Sequence, residues 1–264
     1  MYAFDYHKAT SLADAVAVLS KRGGRPLAGG QSLVPAMKLR LAQPGTLVDL
    51  SGIAELRGIR REGAAVVIGA MTRHAEVAAS NDVKAAIPAL AALAEGIGDR
   101  QVRNMGTLGG SIANNDPAAC WPAAVLGLDA TIVTSKGRHA ADAFFKGMYG
   151  TALAADELVT AVSFPVPATA AYAKFANPAS RFALVGVFVA QRADGSVRVA
   201  VTGAAPSVFR CASLEAVLAR SFTADAAKTV KVDAAGLNGD LHASAEYRAH
   251  LITVMAARAV AAAG

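Results

Sequence analysis

Two glycine-rich turns constrain this chain more than any other feature. The first, Ala28-Gly29-Gly30-Gln31-Ser32-Leu33, follows a strand-like run over Arg25–Ala28 and leads into a helical turn near Leu33. The second, Gly106-Thr107-Leu108-Gly109-Gly110-Ser111, lies within a polar, glycine-rich stretch from Gly98 to Pro117 that reads as a long binding loop. Glycine lets backbone N–H groups converge where a Cβ would block them. Such a nest grips phosphate oxygens, and Ser32 adds a hydroxyl donor. Neither turn has the GxGxxG spacing of a dinucleotide fingerprint, and neither ends in the Gly-Lys-Ser/Thr of a Walker A loop. Either turn alone reads equally as a structural bend. Together, with Asn114 and Asp116 close behind the second, they supply donors for a diphosphate and an acceptor for a ribose hydroxyl.

The rest of the sequence removes whole classes of function. The net charge of +6 is spread over short groups, Lys21-Arg22, Arg57–Arg61 and Lys136–His139, each read as a solvated turn. No basic and aromatic interleaving marks a nucleic-acid module. Two cysteines, Cys120 and Cys211, are too few for a zinc or iron–sulfur site. None of the five histidines forms an HxxxH pair, and no serine lies in GxSxG. His74 reads as a surface or capping residue. Chemistry therefore falls to a cofactor. With 54% hydrophobic and only 17% charged residues the surface carries little charge, which burial on a partner or a high alanine content would each explain. No apolar signal segment and no run of about 18 apolar residues appears. The expectation is a soluble, cytoplasmic chain, with membrane association only through a partner.

The pattern predicts mixed α and β structure without regular βα alternation. Helices are expected over Ser11–Ser20, capped by Ser11, then Ala54–Leu56, Thr72–Ala79, Val83–Gly96 as one region, Trp121–Leu126, Leu214–Leu218 and Glu246–Ala262. Strands are expected over Thr46–Asp49, Ala64–Ile68, Ala130–Thr134 and Leu158–Phe164. Beyond the rigid Pro165-Val166-Pro167, the runs Phe182–Arg192 and Ser196–Gly203 flank Asp194-Gly195, a hairpin signal.

These motifs carry a resemblance over nearly the whole chain. Ala28–Pro35 with Met37-Lys38-Leu39-Arg40, and Arg103-Asn104 through Ser111 to Asp116-Pro117, resemble the medium, FAD-binding subunits of the molybdenum hydroxylases, the carbon monoxide and xanthine dehydrogenase type. Val48-Asp49-Leu50, Ile68-Gly69-Ala70 and Ser244–Arg248 fit as well. The resemblance implies an α+β architecture: a vanillyl-alcohol-oxidase/PCMH-type FAD-binding domain over residues 1–170, with subdomains of about 1–56 and 57–170. A C-terminal α+β domain of the carbon monoxide dehydrogenase flavoprotein type would cover 171–264. It implies that Ala28, Gly29, Gly30, Gln31 and Ser32 wrap the FAD diphosphate with Leu33 packed behind. Thr107, Gly110, Ser111, Asn114 and Asp116 would meet the diphosphate, ribitol or ribose, and Lys174 would lie near the flavin ring. Cys120 stands where relatives often carry an acid, and reads as a buried, inert thiol.

The implied partners are a large molybdopterin-binding subunit and a small subunit with two [2Fe–2S] clusters, assembled as a dimer of heterotrimers that passes electrons to an external acceptor. Two alternatives stay open on the residues alone. One is a self-contained flavin oxidase or reductase of the same fold, with His74 or Cys120 as flavin attachment points. The other is a scaffold in which the glycine turns are only turns.

Overall fold

The computed structural model describes residues 1–263 and contains three sheets, each built from its own stretch of sequence. The first stretch comprises β1 (Asp5–Lys8), α1 (Leu12–Arg22), β2 (Arg25–Leu27), α2 (Leu33–Lys38) and β3 (Thr46–Asp49). β3 is central and runs parallel to both β1 and β2. Ser11 caps α1 as expected, its side chain accepting from the Asp14 N–H at 3.1 Å. Ala15 and Leu19 of α1 pack on Val48 and Leu50. A 3₁₀ turn over Ala54–Leu56 leads out.

The second stretch comprises β4 (Ile59–Glu62), β5 (Ala65–Gly69), α3 (His74–Ala79), α4 (Asn81–Ala86), α5 (Pro88–Glu95), α6 (Arg100–Met105), α7 (Leu108–Asn114), α8 (Trp121–Gly127), β6 (Thr131–Thr134), β7 (Arg138–Ala140), α9 (Ala141–Phe144) and β8 (Val159–Pro165). Its strands form an antiparallel sheet in the order β4-β5-β8-β6-β7. The third stretch comprises β9 (Thr169–Ala176), β10 (Ala183–Gln191), β11 (Val197–Thr202), β12 (Phe209–Arg210), α10 (Ala212–Leu218), α11 (Ala224–Lys228) and α12 (Ala245–Ala263). Its antiparallel sheet has the order β12-β11-β10-β9. Among the described residues no helix is long and apolar enough to cross a membrane.

Several sequence expectations need correction. Gly98–Pro117 is largely helical: Asp99 caps α6 and Thr107 caps α7, so these side chains start helices rather than line a loop. Val83–Gly96 is two helices, because Pro88 occupies the first turn of α5 and Ile87 before it leaves the helical region. The helix expected to open at Thr72 starts at His74, with the Arg73 N–H donating to Glu76. Arg57–Arg61, read as a solvated turn, runs into β4, an edge strand with largely solvated side chains. His139 is not in a solvated turn; it lies on β7, paired with Glu157.

The third sheet is buried on both faces, and the alternation is clean. Val185, Val187 and Val189 of β10, with Val197, Val199 and Val201 of β11, share a core with Leu251, Ile252 and Met255 of α12. The intervening Phe188, Ala190 and Ala200 join the core of the second stretch, with Trp121, Ala124 and Val125 of α8. Arg198 faces the same way, giving hydrogen bonds to Leu126 O at 2.9 Å and to Asp142 at 2.6 Å. The Thr202 hydroxyl lies 2.7 Å from Ala119 O and 3.0 Å from Pro117 O.

A buried carboxylate ties β6, β7 and the approach to β8 together. Glu157 accepts from Thr134, from His139 at 2.8 Å and from the Ala154 N–H at 3.0 Å. Burial pushes this carboxyl up, but the three hydrogen bonds outweigh it and hold it at about 2. A carboxyl depressed in the folded state stabilises the fold above its unfolded value of 4.5, and that stability drains away as pH falls through about 2. Urea unfolding should therefore show a loss of about 2 kcal/mol between pH 5 and pH 3 from this group, at 1.36 kcal/mol per unit. Glu157→Gln should lower stability at pH 7 and flatten that part of the profile.

Candidate functional site

The two glycine turns meet. Ala28–Ser32 links β2 to α2, and Met105–Thr107 links α6 to α7. A Cβ on Gly29 would overlap the Met105 carbonyl oxygen and sit 2.7 Å from Gly106 Cα. A Cβ on Gly110 would lie 3.3 Å from that of Ala28. The sequence places glycine at 29 because two backbones cross there with no room for a side chain. Gly30 then turns the chain with φ at 72°.

The second turn is fastened to the sheet behind it. The Gly109 N–H donates to Ala70 O at 2.8 Å and the Leu108 N–H to Thr72 O at 3.1 Å. Gly109 is required by the same logic as Gly29, since its Cβ would sit 2.5 Å from that of Ala70. Thr72 is buried and exchanges hydrogen bonds of 3.1 Å with both the N–H and the carbonyl of Gly58.

His74 is the residue that sequence reasoning misplaced. It is buried beneath the second turn, 4% exposed. Its backbone N–H donates to Gly106 O at 3.0 Å, and its Nδ1 accepts from Trp121 Nε1 at 3.0 Å. Accepting at Nδ1 leaves the proton on Nε2. Burial first, and Arg103 second, push this imidazole down to about 4. The signal was present in the sequence as a histidine inside an apolar helix face, but its partner Trp121 is far away in the chain. Neither His74 nor Cys120, which is also buried, offers an open attachment point for a flavin.

The remaining candidates divide by how they are used. Ser32, Ser111 and Asn114 are at least partly exposed, and none of their side chains is held by a hydrogen bond among the described residues. Gln31 folds back to Gly29 O at 3.1 Å, and Leu33 begins α2 half-buried. The Thr107 hydroxyl accepts from the Gly110 N–H at 3.2 Å and so shapes the start of α7. Asp116 spends one oxygen on the Ala118 N–H at 2.9 Å and holds the other 3.3 Å from the Tyr149 hydroxyl. The neighbouring Asn115 is structural, donating to Gly147 O at 2.8 Å and Gly150 O at 2.7 Å from a left-handed backbone, φ 44°.

Lys174 sits apart from the two turns, on β9. Its ammonium donates to Gly96 O at 2.7 Å and Arg181 O at 3.0 Å, with Cys120 Sγ at 3.7 Å. It thereby clasps the third stretch to the end of α5. The structure thus brings ten of the assigned positions into one wall and its flank and places Asp116 just beyond α7, while Lys174 acts at the junction with the C-terminal sheet.

A half-buried Gly29-Gly30 turn running into exposed Gln31 and Ser32, free hydroxyls at Ser32 and Ser111, and a carboxylate with spare acceptor capacity at Asp116 suit a dinucleotide bearing a diphosphate and a ribose. An α+β wall of this kind, carried on two subdomains beside a third α+β unit, is a PCMH-type FAD-binding fold. A family profile described as "FAD binding domain in molybdopterin dehydrogenase" matches residues 2–167. The chain is 39% identical to the carbon monoxide dehydrogenase medium chain of Hydrogenophaga pseudoflava, over 98% of this chain and 96% of that one. It is 36% identical to the nicotine 6-hydroxylase medium subunit of Paenarthrobacter nicotinovorans, over 99% and 98%. The crystal structure of quinoline 2-oxidoreductase from Pseudomonas putida 86 superposes with a TM-score of 0.89 at 30% identity, covering 99% of this chain and 97% of that one. The chain belongs to the medium, FAD-binding subunits of the molybdenum hydroxylase family.

Two measurements check this geometry. Gly29→Ala should push the turns apart and cost about 1–3 kcal/mol, read by denaturant unfolding. Nitrogen NMR should find His74 neutral with the proton on Nε2 from pH 8 down to about pH 5, well below the range where an exposed histidine titrates.

Proposed function

We propose that this subunit is the electron exit of a molybdenum hydroxylase complex. This chain would hold FAD as the relay between the [2Fe–2S] clusters of a small partner subunit and an external acceptor. A large partner subunit holds molybdopterin and oxidises the substrate. The observation that carries the reading is the convergence of the two glycine turns into one wall with unspent donors. Relatives named as medium chains or medium subunits support it.

Bound FAD would supply a carrier that accepts electrons singly and releases them in pairs. The protein's part is placement. Backbone at Ala28–Gly30 and the Ser32 hydroxyl would hold the diphosphate, with Gln31 bracing the turn through Gly29 O and Leu33 packed behind. Gly110 leaves room on the second side, where Thr107 sets the start of α7 and Ser111 and Asn114 add donors. Asp116 would accept from a ribose hydroxyl. Lys174 locks β9 to the end of α5 and to the Arg181 carbonyl, and so would steady the C-terminal sheet beside a bound flavin, where its positive charge would favour negative charge on the ring. We keep the division near residue 170 between an FAD-binding part and a C-terminal domain; the Pro165-Val166-Pro167 break, between the end of β8 at Pro165 and the start of β9 at Thr169, supports it. Substrate choice belongs to the large subunit. The named relatives span carbon monoxide, nicotine and quinoline chemistry, so no single substrate follows from this chain.

The test is an absorption spectrum of the chain purified with its partners, before and after dithionite, with release of the cofactor. Flavin bands that bleach, FAD in the supernatant and additional iron–sulfur absorbance are expected; a colourless chain that takes up no FAD would overturn the reading. Asp116→Asn preserves the turn to Ala118 but loses the acceptor-only carboxylate. It should weaken FAD binding about tenfold, equivalent to about 1.4 kcal/mol, with the thermal midpoint of the FAD-free chain unchanged.

A further inference from the structure

The run Ser244–Arg248 fits the family pattern, yet no part of it belongs to the two glycine turns. Its last residue is the informative one. Arg248 is 3% exposed, and a charge so deeply buried needs close partners. Its Nη1 donates to Leu184 O at 2.6 Å and to Gly203 O at 3.0 Å, and its Nη2 to Asp240 at 2.7 Å. The planar fork of a guanidinium suits this division, with two carbonyls on one nitrogen and a carboxylate on the other.

The two carbonyls mark the corner where β10 begins and β11 ends. β11 finishes at Thr202, and Gly203 turns the chain with φ at 82°. A Cβ on Gly203 would sit 2.5 Å from Ala183 O and 2.8 Å from Leu184 O, so glycine alone fits there. Arg248 closes the end of the sheet as a side-chain rung, just beyond the last backbone pair of the two strands, Gly186 with Thr202.

That corner carries part of the second stretch. The Gly203 N–H donates to Pro117 O at 2.8 Å. With Pro117 O so served, the single proton of the Thr202 hydroxyl goes to Ala119 O, the nearer of its two acceptors at 2.7 Å against 3.0 Å. Pro117 and Ala119 belong to the tight turn that Asp116 starts. In it the Ala118 N–H donates to Asp116 Oδ1 and the Ala119 N–H to Asp116 O, both at 2.9 Å. On its other side the turn is anchored within the second stretch, by Asn115 on Gly147 O and Gly150 O. Asp116 thus stands between two anchors, and one of them comes from the third stretch.

We infer that Thr202 is a positioning residue for the cofactor site. Backed by Gly203 and Arg248, its hydroxyl holds the Asp116 turn in place, and with it the carboxylate that would take a ribose hydroxyl. This rests on the FAD reading above. It adds that the third stretch, which contributes nothing to the glycine turns, governs affinity at the ribose.

The test is FAD uptake by the complex after its flavin has been stripped, followed by the quenching of FAD fluorescence. Thr202→Val, Thr202→Ser and Arg198→Met are compared with the wild type. Valine keeps the branched shape and strand preference of threonine without the hydroxyl. Thr202→Val should weaken FAD binding about fivefold, the worth of one hydrogen bond, and Thr202→Ser should restore most of it. Arg198→Met breaks a contact of the same junction that leads to Leu126 and Asp142 instead. It should lower the thermal midpoint and leave FAD affinity within about twofold of the wild type. Hydrogen exchange of the FAD-free complex gives a reading that needs no cofactor: the amides of Ala118 and Ala119 should exchange faster in Thr202→Val. FAD affinity of Thr202→Val within about twofold of the wild type overturns the inference. So does an equal loss in Arg198→Met, no rescue by serine, or unchanged exchange at Ala118 and Ala119. If the wild type takes up no FAD, the functional reading fails and this inference falls with it. The two failures are distinguishable, because failure of the inference alone leaves wild-type FAD uptake intact.

Discussion

The crossing of two backbones at Gly29 is the contact on which the rest of the site depends. It brings a turn of the first sheet against the loop between α6 and α7 with no side chain between them. Everything around that crossing serves to hold it. Ala70 and Thr72 receive the N–H groups of the second turn, and His74 and Trp121 fill the space beneath. Because these partners come from the turn between β5 and α3, from α3 and from α8, the cofactor wall is a consequence of the second subdomain's packing as much as of the glycine motifs. Close packing of this kind tolerates little local change, since a shift of one backbone is transmitted to all of them.

The C-terminal sheet supplies the other constraint. It does not stand beside the FAD-binding part as an appendage. Phe188, Ala190 and Ala200 are shared with the core of the second subdomain, and Arg198, Thr202 and Lys174 reach across to its carbonyls. Polar groups at this junction are paired with backbone acceptors, so the two parts meet in a defined orientation rather than through apolar contact alone. That orientation fixes the position of whatever the wall holds relative to the hairpin of β9 and β10.

Much of this was legible in the sequence, and the failures have specific causes. The glycine turns, the cap at Ser11, the break at Pro165 and the hairpin at Asp194-Gly195 rest on local chemistry, and local chemistry reads directly. Gly98–Pro117 read as a loop because glycine, threonine and asparagine are poor helix formers in general. Here Asp99 and Thr107 are N-caps, a role that overrides propensity at the first turn. Val83–Gly96 read as one helix because Pro88 is harmless in a first turn, and only the structure shows that a new first turn begins there. β1 and β4 were missed because edge strands with solvated side chains lack an apolar alternation. The apolar face around His74 hinted at burial, but its partner Trp121, 47 residues away, could not be read from the sequence. The clasp made by Lys174 likewise depends on a carbonyl remote in sequence, that of Gly96.

The strict alternation in β10 and β11 has a consequence for how this chain can change over generations. Valine points to α12 at each odd position from 185 to 189 and from 197 to 201, while the even positions face α8. Removing or adding a single residue inside β11 would flip the strand on one side of the change, turning Arg198 or Thr202 toward the α12 core and the neighbouring valines into the junction. Removing two would shorten the strand but keep its parity. The sheet therefore works as a reading frame of period two. Homologous chains should vary freely in the length of the turn at Asp194-Gly195, where parity can be reset, and should carry no odd-numbered length change between Val197 and Thr202.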